Sequence, residues 1–206
     1  MTTSRTDFIE SWLVEMPQRK NVGDMYPIIS RNIKELIDNG IKPIKVTDNL
    51  YKIVLNTILY YWYGKANTII IGVELSKTPQ NLTVNFVGKN PEYSGKPPYA
   101  GDLYDAIIKD NHYSLGLTSD QQLSDEGFSI WKRLFNKGHT ISVYDTTNPG
   151  QSRVTFKNEF EMNDYFGDDP SFKKYRFIVS ESSPEKLGEI IGHFNTRRMR
   201  ELAGIL

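Results

Sequence analysis

Asp48, Glu74 and Lys77 are the side chains whose types most suggest metal chemistry, an acid followed by an acid and a lysine as in metal-dependent nucleases. The spacing opposes that use. Side chains alternate along a strand, so Glu74 shares a face with Ser76 while Lys77 points away. The usual acid-x-Lys pair is missed by one residue, and only a bulge would restore it. The three histidines, His112, His139 and His193, are far apart, with no HxH, HxxxH or HExxH pattern, so no metal site is expected. No strand–G-x-S-x-G–helix elbow presents a serine nucleophile. Cysteine is absent, which excludes disulfides, thiolate nucleophiles and sulfur-ligated metals.

Charge narrows the partners. Lys plus Arg and Asp plus Glu number 25 each in the 206 residues, so no global field recruits nucleic acid or an anionic membrane. The basic cluster "HFNTRRMREL" places Arg197, Arg198 and Arg200 together, where they could grip phosphate or an acidic protein surface. The same cations suit a helix C-terminal end, with Glu185, Glu189 and Glu201 close by in sequence. Nucleic-acid binding is therefore possible but not favoured. "YYWYG", residues 60–64, could stack bases, yet alternation in a sheet would bury about half of these rings. No apolar run approaches the ~18–20 residues that span a bilayer, so no membrane partner is expected. The N-terminal stretch is acidic and amphipathic, unlike a secretory signal. A cytoplasmic protein is the expected setting, and a virion component would read the same.

The elements that would position these groups follow from periodicity. "TDFIESWLVEM" and "PIISRNIKELIDNG" carry apolar residues at helical spacing, the second stopped by Gly40. From Asn49 the period changes. "LYKIVL", "ILYYWYG", "TIIIGVELS" and "NLTVNFVG" are rich in β-branched and aromatic residues and are separated by short turns, which predicts an antiparallel meander. Asp102 is placed to cap a helix through "LYDAIIKDN", with Leu103, Ala106 and Ile107 inward. "YSLGLTS" reads as a short strand. Ser124 caps a helix with Phe128, Trp131, Leu134 and Phe135 on its buried stripe and Gly138 at its end. "HTISVYD" and "YRFIVSES" read as strands around a polar excursion, and Ser183–Pro184 open a last helix. The division expected is an N-terminal helical extension, 1–47, packed on a main domain, 48–206.

Between the meander and the next helix lies "GKNPEYSGKPPYAGDLYDAI", residues 88–107. With this order of elements the chain resembles the GNAT superfamily of N-acetyltransferases over roughly residues 48–181. It also resembles uncharacterised GNAT-like proteins of tailed phages in overall style. The resemblance implies an α+β fold, a mixed and largely antiparallel sheet flanked by helices. It implies too a splay between the fourth and fifth strands of the family, and a glycine-rich loop whose N–H groups hold the pyrophosphate of acetyl-CoA. Of that loop's pattern, "SGKPPYAG" keeps Gly95, Lys96, Ala100 and Gly101 as cofactor-binding candidates.

The departures from the family lie where its chemistry would be. Pro97 and Pro98 have no N–H to offer an anion. The tyrosine that often serves as general acid aligns with Trp131, whose indole N–H does not give up its proton. The remaining catalytic candidates are Glu74 or Asp105 as base and Tyr99, Tyr104 or Tyr113 as acid. Two prolines flanked by tyrosines also make a stiff, low-entropy surface. Tyr93, Pro97, Pro98, Tyr99 and the three C-terminal arginines are accordingly partner-binding candidates. The expectation is a GNAT-like accessory protein of phage origin that binds a protein partner and needs no cofactor. The alternatives are an acetyl-CoA-dependent N-acetyltransferase and a metal-dependent nuclease or nucleic-acid binder around Glu74.

Overall fold

The computed structural model describes residues 25–79, 81–111, 116–120, 123–148 and 152–180. The helices expected around residues 6–16 and after Ser183 lie outside the described residues, as do His112, Tyr113, His193, Arg197, Arg198 and Arg200.

The meander forms as predicted. After a two-residue strand β1 (Ile44–Lys45) come β2 (Leu50–Val54), β3 (Ile58–Lys65), β4 (Thr68–Lys77) and β5 (Asn81–Lys89), each antiparallel to its neighbour. Then follow β6 (Gly116–Thr118), β7 (Thr140–Asp145), β8 (Val154–Thr155) and β9 (Tyr175–Ser180). The sheet order is β1-β2-β3-β4-β5-β6-β9-β7-β8, with β5 and β6 its parallel pair. The architecture is α+β, a large and mostly antiparallel sheet flanked by helices.

Three α-helices are described: α1 (Tyr26–Asp38), α2 (Ala100–Asp110) and α3 (Asp125–Asn136). Gly40 at φ 85° follows α1, as the left-handed stop predicted. The Ser124 Oγ accepts the Gly127 N–H at 3.1 Å and caps α3. The start of α2 corrects the sequence reading: Tyr99, not Asp102, is the N-cap, and Asp102 sits one turn inside. The excursion between β7 and β9 holds β8 and two 3-10 helices, Glu159–Tyr165 and Pro170–Lys174.

Helices cover both faces of the meander. On one face α2 and α3 bring Leu103, Ile107, Phe128, Trp131 and Leu134 onto Tyr61, Val73, Leu75, Leu82, Ile141 and Phe177. On the other, Ile29, Ile33 and Leu36 of α1 meet Ile53, Tyr60, Trp62 and Ile69. This overturns the expectation that about half of the rings in "YYWYG" are buried. Tyr60, Tyr61 and Trp62 are all buried, because each sheet face has its own helix. Phe135, assigned to the buried stripe of α3, is half-buried. Gly88 on β5 admits the start of α1: a Cβ there would lie 2.5 Å from the Tyr26 nitrogen.

Candidate functional site

The sheet opens beside β5. Parallel pairing with β6 runs through Asn81–Gly116, Leu82–Leu117 and Thr83–Thr118 and stops, while β5 continues to Lys89. Just past that point β5 bulges. Val84 lies opposite Leu75 and Phe86 opposite Glu74, which leaves Asn85 as the extra residue.

A polar network gathers at the bulge. Tyr60 donates its hydroxyl to Glu74 Oε2 at 2.6 Å, and Asn85 Nδ2 donates to Oε1 at 3.0 Å. Ser76 Oγ donates to Asn85 Oδ1 at 2.8 Å. Glu74 is only 5% exposed. The bulge does not bring the acid-and-lysine constellation together: Asp48 is exposed and bonded to Lys45, and Lys77 is exposed. No group of three metal-ligating side chains occurs among the described residues.

Downstream, residues 90–99 fold back on themselves. Asn90 Oδ1 accepts the Glu92 N–H, Ser94 N–H donates to Pro91 O, and Lys96 N–H donates to Tyr93 O. Gly95 has φ 71°, and the peptide bond between Pro97 and Pro98 is cis. Tyr99 donates its hydroxyl to Gly95 O at 3.2 Å while its ring stays 40% exposed. Lys89 Nζ donates to Lys96 O and lies 4.8 Å from the centre of the Tyr99 ring. Burial holds the Lys89 ammonium below the usual lysine range. Lys96 and Pro97 are exposed, and Tyr93 and Pro98 are half-buried.

The loop ends at the start of α2, where a carboxylate gathers two partners. Asp102 Oδ2 accepts the Tyr99 N–H at 3.0 Å, and Oδ1 pairs with Lys137 at 2.9 Å. Burial alone would raise the Asp102 carboxyl, but Lys137 and the Tyr99 N–H outweigh it and hold the group ionised below the usual range. Gly101 is buried, yet a Cβ on it would make only ordinary contact with Arg133, at 3.9 Å. Nothing at this position demands the absence of a side chain. Ala100 is half-buried behind it.

The other candidates are dispersed. Tyr104 is 4% exposed, edge-on to Trp131 at 6.2 Å, and burial, with the charge of Asp120, pushes its hydroxyl far above the usual phenol range. Trp131 is itself core, stacked 6.2 Å from Phe177. Asp105 pairs with Lys109 and with His139 Nε2, each at 2.8 Å. Burial would raise Asp105, and these two partners together bring it below the usual range. Its contribution to stability is complete above the ordinary carboxylate value and is lost as pH falls through the lower folded value. Asp105→Asn is expected to cost about 1 kcal/mol at neutral pH. It should also flatten the fall in stability below about pH 4, read by urea unfolding at several pH values. An unchanged acid limb would show that the pair is not coupled to folding.

Sequence reasoning missed Tyr60 and Asn85 as partners of Glu74. A lone Asn between Val84 and Phe86 was the available signal, since Asn is depleted in strands and marks irregularity.

No protein-family model matches the chain, and no curated protein does. Among solved structures, a protein from Bacteroides thetaiotaomicron named as a GNAT-family acetyltransferase aligns at 11% identity and a TM-score of 0.32. The alignment covers 91% of this chain and 87% of that one. No helix among the described residues is long and apolar enough to cross a membrane.

Proposed function

We propose that this GNAT-like chain works by binding a protein partner through the 90–99 loop, without ordinary acetyl transfer. One observation carries the reading: Asp102 of the same helix stands at the positive end of α2, tied to the Tyr99 N–H and Lys137. A helix N-terminus attracts an anion through free N–H groups and its dipole. Here a resident carboxylate takes that place, and Pro97 and Pro98 remove two further donors. Trp131 in the core supplies no acid for a leaving thiolate. The loop instead offers a self-bonded surface with Lys96, Pro97 and Tyr99 outward, so little ordering entropy opposes docking. A tailed-phage accessory role, as virion component or host-directed factor, is the setting that fits this reading, on sequence resemblance alone.

The opening between β5 and β6, with a buried glutamate beside it, favours the second reading, an acetyl-CoA-dependent N-acyltransferase with Glu74 or Asp105 as base. Titration calorimetry with acetyl-CoA separates the two. No saturable heat is expected at ligand concentrations up to about 1 mM, which corresponds to binding weaker than about −4 kcal/mol. Low-micromolar affinity, about −8 kcal/mol, would overturn the proposal and establish the second reading.

A further inference from the structure

Phe160 stands in water. It is 81% exposed, while no other large apolar side chain among the described residues exceeds 49%. A loose loop would account for such a ring, but the backbone that carries it is pinned. In the 3-10 helix Glu159–Tyr165, the Glu161 N–H donates to Asn158 Oδ1 at 3.2 Å, and Glu161 Oε2 accepts the Lys157 N–H at 2.8 Å. Asn136 of α3 donates to Glu159 Oε2 at 2.7 Å. Met162 is fully buried, Tyr165 stands 5.6 Å from the Phe156 ring, and Phe166 stacks on Phe128 at 4.1 Å. Side chains three apart share an edge of a 3-10 helix. Met162 and Tyr165 take the inward edge, which leaves Phe160 and Asn163 outward together.

The ring is bordered by negative charge. Glu161 and Asp164 share the remaining edge of the helix. The Glu161 carboxylate accepts from neutral donors, the Lys157 N–H and Asn158 Nδ2, and Asp164 is exposed. Residues 157–169 hold Glu159, Glu161, Asp164, Asp168 and Asp169 against Lys157. We propose that Phe160 anchors a docking surface for a basic protein segment, one that brings an apolar contact flanked by lysine or arginine. Aromatic rings on a fixed backbone dominate such contacts, because little freedom is lost when they are covered. The acids set the sign of the partner. An acidic surface is repelled, whereas an arginine can pair with Glu161 or Asp164 and lie over the ring. The surface is additional to the 90–99 loop and does not depend on that loop's proposed use. At the end of α3, Asn136 reaches Glu159 while Lys137 reaches Asp102 at the start of α2.

The test selects a random peptide library on the immobilised full chain and measures the enriched peptides by fluorescence anisotropy. Peptides with an apolar residue beside Lys or Arg are expected. Phe160→Ala should weaken their binding about 30-fold. Glu161→Gln combined with Asp164→Asn should weaken it several-fold and remove most of its salt dependence. Enriched peptides that lack cations or bind Phe160→Ala equally well, or no enrichment at all, would overturn the inference. The Tm of Phe160→Ala should stay within about 2 °C of the unmutated chain, since the ring is in water. A larger fall would show the ring to be structural and overturn the inference too. Sedimentation supplies the last arm: self-association that Phe160→Ala abolishes would make a second copy the occupant and overturn the basic partner.

Discussion

Trp131→Ala is expected to lower the stability of the chain by about 3–5 kcal/mol. The indole is 1% exposed and stands between Tyr104, edge-on, and Phe177, stacked, each ring centre 6.2 Å away. It therefore joins α2, α3 and β9 in one cluster. Truncation removes the transfer free energy of a large ring and leaves a cavity that three elements must collapse to fill. Domains of this size have only about 5–15 kcal/mol in total, so the variant should be barely folded at 37 °C. Urea unfolding followed by far-UV circular dichroism measures it. A loss under about 1 kcal/mol would show that α3 does not dock through this residue.

Gly88→Ala should also be damaging, through the opposite fault. A methyl at Gly88 would lie 2.5 Å from the nitrogen and 2.6 Å from the Cα of Tyr26, and 2.7 Å from the Met25 carbonyl carbon. These are backbone atoms at the start of α1, so no side-chain rotation relieves the clash. Either β5 shifts or the first turn of α1 lifts off. Overpacking of this kind costs about 1–3 kcal/mol. It also threatens the bond from the Tyr26 hydroxyl to Ile69 O, 3.0 Å long. Hydrogen exchange should show faster opening in α1 than in α3. Equal protection in both helices would mean that α1 is held elsewhere.

The longer strands and the three described helices were legible because each carries its own pattern. "TIIIGVELS" and "NLTVNFVG" are too β-branched for helices, and Ser124 through Gly138 holds a cap, a stripe and a stop. β1 and β8 were not legible, because two residues are too few to show a period. The burial of Tyr60, Tyr61 and Trp62 together was missed for a tertiary reason. Alternation tells which side chains share a face, and only the folded chain tells that both faces are covered. Asp102 illustrates the same limit on a smaller scale. Its capping chemistry was visible, but Tyr99 also had the extended backbone an N-cap needs, so the helix began one turn earlier. At the site, Glu74 was visible as an acid out of register with Lys77. Its companions were not, since Tyr60 and Asn85 reach it from two neighbouring strands.

The ends of the described sheet have a consequence for self-association. Both outermost strands, Ile44–Lys45 and Val154–Thr155, are two residues long. Pro43 precedes one and cannot donate, Lys42 and Lys45 place charge along it, and Arg153 borders the other. A tenth strand would find almost no backbone to pair with on either side. Templated fibril growth from the native state is thereby disfavoured, despite a meander dense in the residues that amyloid prefers. For the same reason a partner that meets either end of the described sheet finds little backbone there and reads surface side chains instead.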